Sequence, residues 1–173
     1  MNNANIAIKL SDMRKGADSN SFEELYMDLK TPVYTIIFRI TWDKALSEDI
    51  LQEVFLKLYL SPPAEEVKNP RAYIFRIARN LAIDSVRKQG SHISLDEIGD
   101  AVNQPLDDIP LKMDIENALK SLSEEERQLV TLHINADLKF REISEILDMP
   151  LGTALWKYRK AISKLQKILG GSL

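Results

Sequence analysis

Between Leu138 and Leu169 the apolar positions fall into two helical runs separated by a short turn. Phe140, Ile143, Ile146 and Leu147 make the first run, and Asp148-Met149-Pro150 breaks it. Proline lacks an N–H and has a fixed φ, so Pro150 suits the entry of a helix and not its interior. Leu151, Leu155, Tyr158, Ile162, Leu165 and Leu169 then recur at i, i+4 and i+7, an apolar stripe at helical period. Thr153, Lys157, Lys160, Lys164 and Lys167 form a second row, flanked by Gly152, Trp156 and Arg159. From Leu151 to Lys167 there are five basic residues and no acidic one. A helix-turn-helix has this pattern when its second helix docks by the stripe and turns lysines toward phosphates. A solvated, lysine-rich terminal helix has the same composition, so the rest of the chain must decide.

Upstream, Ile6, Leu10 and Met13 predict a short helix. Ser21-x-x-Glu24 is a capping box opening a helix whose apolar face is Phe22, Leu25, Tyr26 and Leu29. Thr31-Pro32 predicts a restart, with Val33, Ile36, Ile37 and Ile40 continuing to Thr41. Trp42-Asp43-Lys44 is a turn, and Ser47 is the expected cap of a helix from Glu48 to Leu60. Ile50, Leu51, Val54, Phe55 and Leu58 form its buried side, while Asp49, Gln52, Glu53 and Lys57 point outward. After the loop 61–69, Asn69-Pro70 opens a long helix to Lys88. Its expected apolar line is Tyr73, Ile74, Ile77, Ala78 and Leu81, opposite Arg76, Arg79, Asn80, Ile83 and Arg87, with Phe75 close by. Residues 89–114 show no helical period, and Gly90, Gly99, Pro105 and Pro110 mark them as a linker. A helix starts over Ile115–Leu122, and a second capping box, Ser123-x-x-Glu126, opens another to Ile134.

Charge sharpens the picture. The 173 residues carry a net charge of −3, which excludes a uniformly basic nucleic-acid binder, but the charge is sorted along the chain. Lys68, Arg71, Arg76, Arg79, Arg87 and Lys88 stand against Asp84 alone between 68 and 88. From 89 to 114, Asp96, Glu97, Asp100, Asp107, Asp108 and Asp114 face only Lys112. Two basic strips are therefore joined by an acidic connector, which fully extended reaches roughly 85 Å. That is about two and a half turns of B-DNA. A basic helix with aromatics near its start suits single-stranded nucleic acid, because rings stack on unpaired bases and arginines meet phosphates. There is no cysteine, no apolar run near membrane-spanning length and no signal-peptide pattern, which fits a cytoplasmic protein. An enzyme is not expected: there is no Gly-rich phosphate loop, His-Glu-x-x-His or cysteine nucleophile, and His92 and His133 stand apart. Neither a metal nor any other cofactor is implied.

The order of these blocks resembles the bacterial RNA polymerase sigma factors of the extracytoplasmic-function (ECF) group. The resemblance covers nearly the whole chain. It rests on Phe22–Tyr26, on Glu48-Asp49-Ile50-Leu51-Gln52-Glu53-Val54-Phe55, and on Tyr73-Ile74-Phe75-Arg76-Ile77-Ala78-Arg79-Asn80-Leu81-Ala82-Ile83-Asp84. In the second half it rests on Ala118–Leu122, Glu142–Leu147 and Pro150-Leu151-Gly152-Thr153. It implies an all-α fold of two small helical domains. Residues 1–88 would be a region 2-like bundle, 89–114 a flexible acidic linker threading toward the polymerase cleft, and 115–173 a region 4-like four-helix domain. Asp49, Gln52, Glu53 and Phe55 would grip the clamp helices of core polymerase, and the C-terminal domain would meet its flap. Lys68, Arg71, Phe75, Arg76, Arg79 and Asn80 would read and melt the −10 element. Thr153, Trp156, Lys157, Arg159, Lys160 and Lys164 would read the −35 element. An anti-sigma factor is the implied regulator. Asp148 stands where the family usually has glycine, Lys139 where a serine or threonine cap is usual, and Leu155 and Trp156 where basic or small polar residues are common. Glu65 and Glu66 would repel a DNA strand and are expected to face away from it. The competing reading is a conventional helix-turn-helix regulator acting without polymerase, which leaves 22–88 without a role.

Overall fold

The chain begins with three helices that wrap an apolar centre: α1 (Asn3–Arg14), α2 (Ser19–Thr41) and α3 (Lys44–Leu60). The computed structural model describes residues 2–16, 19–63, 67–90 and 109–170. Helix α2 runs unbroken through Pro32, where a restart was expected. Proline costs an interior helix about 3 kcal/mol. Here the apolar line Leu25, Leu29, Val33, Ile36, Ile37 and Ile40 is buried on both sides of it. At about 1.5–3 kcal/mol for each large apolar side chain, that burial outweighs the break. Helix α3 starts one turn earlier than expected, because Asp43 and not Ser47 caps it, accepting from Leu46 N–H at 3.0 Å. Ser47 is buried in the first turn instead, its hydroxyl bonded to the Asp43 carbonyl and 2.7 Å from that of Thr41.

Helix α4 (Pro70–Gly90) opens as Asn69-Pro70 predicts, with Asn69 Oδ1 accepting from Ala72 N–H at 3.1 Å. Its buried line differs from the expected one. Ala72, Ile74, Phe75, Ala78 and Ala82 face the core, while Tyr73, Ile77 and Leu81 are half-buried on the flank. Of these, Ile74 and Ala78 lie on the expected line, and Ala72, Phe75 and Ala82 do not. Helix α1 lies against the start of α4, where Asn3 Oδ1 accepts from Arg71 N–H at 3.1 Å.

The second half comprises α5 (Ile109–Lys120), α6 (Glu124–Ile134), α7 (Phe140–Ile146) and α8 (Leu151–Gly170). Helix α5 begins at Ile109, six positions before the expected start, with Pro110 in its first turn, where a missing N–H costs no bond. The expected linker otherwise falls on 91–108, outside the described residues, as do His92, Glu65 and Glu66. The α7–α8 turn carries Asp148 in the left-handed region, at φ +51°. Ala154 and Ala161 are the buried positions of α8, with Tyr158, Ile162 and Leu165 leaning in beside them. Leu151 is exposed, so the stripe expected through it is rotated toward the alanines. His133 is structural: its Nδ1 lies 2.9 Å from the Leu138 carbonyl oxygen, and its ring packs on Phe140 and Tyr158.

Ser123 and Glu126 form the expected capping box of α6. Glu126 is buried, and Lys164 of α8 reaches both its carboxylate oxygens, at 2.7 and 2.9 Å. Burial pushes this carboxyl up, but the Lys164 ammonium and the hydrogen bonds of Ser123 together pull it lower, to below the ordinary carboxylate value. A lowered value means the pair stabilises fully above the ordinary carboxylate pKa and loses that contribution as pH falls through the lowered one. Lys164→Met leaves Glu126 without its cation. It should cost about 1 kcal/mol, allowing for the partly exposed ammonium, or about 2–4 °C in thermal midpoint at neutral pH. The gap between variant and parent should shrink as pH is lowered through the carboxylate range in a melting series.

Candidate functional site

Three surfaces carry the side chains that the sequence singles out. On α3, Asp49, Gln52 and Glu53 are exposed. Phe55 is 2% exposed and sits in the core against Phe22 and Tyr26, at ring separations of 6.3 and 4.8 Å. A side chain so enclosed cannot grip a partner, and its expected role is withdrawn. The helical continuation of the acidic row is Leu56 and Leu60, 55% and 68% exposed. Positions 49, 53, 56 and 60 are spaced by three or four residues, with 52 one turn from 49 and 56, and share one face. Extending the row by that spacing would have found both leucines in the sequence.

On α4, Arg76 and Asn80 are exposed one turn apart, and Lys68 is exposed just before the helix. Phe75 is fully buried, with the Arg71 guanidinium 5.7 Å from its ring centre, so it is not a stacking surface for a base. Tyr73, half-buried and three residues before Arg76, is the aromatic that remains within a base's reach. The expectation exchanged these two rings. Arg71 and Arg79 point elsewhere. Arg71 Nε donates to the Ala136 carbonyl at 2.7 Å, and Arg79 Nε to Gln128 Oε1 at 2.7 Å. Burial pushes the Arg79 guanidinium down, and Glu124 and Glu125 oppose that shift.

On α8, Trp156 is 60% exposed, with the Lys160 ammonium 5.0 Å from its ring centre. Arg159 and Lys160 are exposed, and Thr153 is partly so. Lys157 is paired with Glu125 of α6, and Lys164 with Glu126. The cationic row is thus divided. Arg159, Lys160 and Lys167 are the outward charges, and Lys164 is tied into the packing of α6 on α8. Helix α7 presents Glu142 back to its own N-terminus, accepting from Lys139 N–H at 2.7 Å, which supplies the cap that lysine cannot.

The sequence gives no sign of the contact between the halves. Glu142 accepts a second hydrogen bond from Asn69 Nδ2, at the start of α4. Arg127 of α6 donates to the Arg39 carbonyl at 2.9 Å. Trp42, at φ +54°, is ringed by Arg39, Lys120 and Arg127, at 5.4, 4.9 and 5.3 Å from the ring centre. Read from sequence, Trp42 was only part of a turn. Among the described residues there is no cluster of three metal-ligating side chains, and no helix is long and apolar enough to cross a membrane.

Two family models match, Sigma-70 region 2 over residues 25–92 and Sigma-70, region 4 over residues 112–165. The chain is 29% identical over 135 residues to the ECF RNA polymerase sigma factor SigM of Bacillus subtilis, covering 75% of this chain and 83% of that protein. It is 25% identical over 178 residues to SigW of the same organism, covering 93% and 95%. Among solved structures, the fold is like that of the Bartonella quintana sigma factor RpoE, in complex with the anti-sigma factor NepR. The TM-score is 0.68 at 22% identity, covering 86% of this chain and 96% of that one. It is also like CnrH in complex with the cytosolic domain of CnrY, with TM-score 0.69 at 14% identity over 98% and 99%. A conventional regulator would leave the first match without meaning. With both region matches in order on one all-α chain, the protein belongs to the ECF group of the sigma-70 family, the non-enzymatic factors that bind core RNA polymerase and direct it to promoters.

Proposed function

We propose that promoter-directed initiation is divided among three faces of this chain. The exposed row Asp49, Gln52, Glu53, Leu56 and Leu60 on α3 binds the clamp helices of core polymerase. Lys68, Tyr73, Arg76 and Asn80 engage the −10 element. Thr153, Trp156, Arg159 and Lys160 engage the −35 element in the major groove. The assignment follows an N-terminal unit ending near residue 88 and a C-terminal one from about 115. The observation that carries it is the α3 row. Two large apolar side chains stand in water beside three polar ones, on a helix whose opposite side is core, which is the composition of a partner surface.

The factor makes and breaks no covalent bond in this scheme. Its work is to stabilise an opened duplex. Extracting a base costs a few kcal/mol of stacking. An aromatic such as Tyr73 returns about 1–3 kcal/mol per stacked base, and Arg76 adds a phosphate contact. On α8, Trp156 offers an apolar surface to a thymine methyl, while Arg159 and Lys160 hold phosphates. A similar solved structure holds a sigma factor in complex with an anti-sigma factor, which supports an anti-sigma factor as the regulator. Membership of a family that works on RNA polymerase supports a cytoplasmic site of action.

The direct test is transcription of genomic fragments by core polymerase with and without the protein, followed by mapping of 5′ ends. New starts sharing two upstream motifs at fixed spacing are expected, and no new starts would end the reading. Leu56→Ala with Leu60→Ala should weaken polymerase binding about tenfold or more while leaving the melting temperature within a degree or two. Phe55→Ala should instead cost about 3–5 kcal/mol of stability. Lys160→Glu should cut transcription from promoters that depend on the −35 element and lower the salt dependence of DNA binding by about one phosphate contact. Its affinity for core polymerase should be unchanged, and equal loss of both would refute the assignment.

A further inference from the structure

Helix α6 opens on three consecutive acids, Glu124, Glu125 and Glu126, and each is used differently. Glu124 accepts from Gln128 Nε2 at 2.9 Å within its own helix. Glu126 is buried beneath Lys164, with 6% of its side chain exposed. Glu125 keeps 59% of its side chain in water and pairs with Lys157, itself 26% exposed. Lys157 and Lys164 lie two turns apart on one flank of α8, against α6. Of the five cations on α8, two are thereby met by acids of α6, and of those two acids Glu125 is the one open to solvent. Lys157 also lies one turn from Thr153 and one turn from Lys160, both on the side of α8 read as meeting DNA. Its flexible four-carbon stem lets the ammonium turn either way.

We propose that Glu125 is an internal rival of DNA phosphate for Lys157, and that it limits the sequence-blind part of −35 binding. The proposal rests on reading α8 as the −35 element's partner. A phosphate that approaches Lys157 must break one charge-assisted contact to form another, so the exchange gains little. It also leaves a bare carboxylate beside the strand, which repels the neighbouring phosphates. Lys157 therefore stands at the edge of the DNA face as a cation already neutralised, and Arg159, Lys160 and Lys167 supply the phosphate contacts. Such contacts carry no sequence information, and they supply nearly all of non-specific binding. Withholding one weakens the grip on arbitrary duplex and leaves the base edges to Thr153 and Trp156. The exposure of Glu125 suits it to this role. A buried acid such as Glu126 cannot give up its cation without a large loss of stability, whereas an exposed pair contributes little to it. Glu125 also complements the positive end of the α6 dipole, a structural role that by itself gives it no influence on DNA.

The test is titration of the whole chain against fluorescent duplex DNA of random sequence, from about 50 to about 200 mM salt. Glu125→Gln should bind about threefold tighter at the low end, and its plot of log affinity against log salt should steepen by about 0.9. Lys157→Met should keep the parent's slope, because the charge it removes is already neutralised. Glu125→Gln made on top of Lys157→Met should add no steepening. All three variants should melt within about 2 °C of the parent, since the pair is open to water. An unchanged slope in Glu125→Gln overturns the proposal. So does the same steepening with and without Lys157, which routes the effect through net charge or through Arg79, whose guanidinium also feels Glu125. A flatter slope in Lys157→Met overturns it as well, since Lys157 is then already meeting phosphate in the parent. Failure of the underlying reading looks different: Lys160→Glu leaves duplex binding unchanged, and the proposal falls together with the DNA face of α8.

Discussion

Helix α6 is buried on most of its circumference, and the rest of the structure depends on how its polar groups are satisfied. Leu129, Val130 and Leu132 are core residues, yet Glu126, Gln128 and Thr131 are buried among them. A buried polar group without a partner costs about 1–3 kcal/mol, so each of these dictates a neighbour. Glu126 takes Lys164 and thereby fixes where α8 crosses. Gln128 accepts from Arg79 and donates to Glu124, which fixes α4. Thr131 returns its hydroxyl to the Arg127 carbonyl, and the Arg127 side chain leaves for the Arg39 carbonyl on α2. One eleven-residue helix thus holds its own domain together and binds it to the other.

Much of the fold was legible before any coordinates. The turn of the helix-turn-helix region, the Asn69-Pro70 entry and the second capping box stand where the residues put them, because each is a local device needing only its neighbours. What failed was the choice of face. On α4 the expected line held Ile74 and Ala78 but missed Ala72, Phe75 and Ala82, and on α8 it ran through large residues whereas Ala154 and Ala161 are the buried positions. Periodicity of large side chains identifies a helix, but a helix that approaches its neighbour through methyl groups hides its contact line from that pattern. Pro32 was misjudged for a related reason, since tertiary burial along α2 overrides a local penalty.

The exposure of the candidate surfaces was legible in part for the same cause. Exposed charged residues such as Asp49, Arg76 and Lys160 were found, because charge resists burial and periodicity places it. The aromatic rings were not sorted. Phe55 is interior, as its period placed it, and so is Phe75, while Tyr73, expected on the apolar line, is half-buried on the flank, and the exposed Leu56 and Leu60 went unnoticed. The ties of Arg71 and Arg79 join positions 65 and 49 residues apart, and no local pattern encodes a contact of that range.

The placement of the indoles has a practical consequence. The chain holds two tryptophans, and they occupy opposite situations. Trp42 is half-buried between the halves among three cations, and Trp156 stands in water on the outer face of α8. The molecule therefore carries two intrinsic optical reporters, one sensing the seam between its halves and one its outermost helix, and their emission can be separated by quenching with a solute that reaches only the exposed ring.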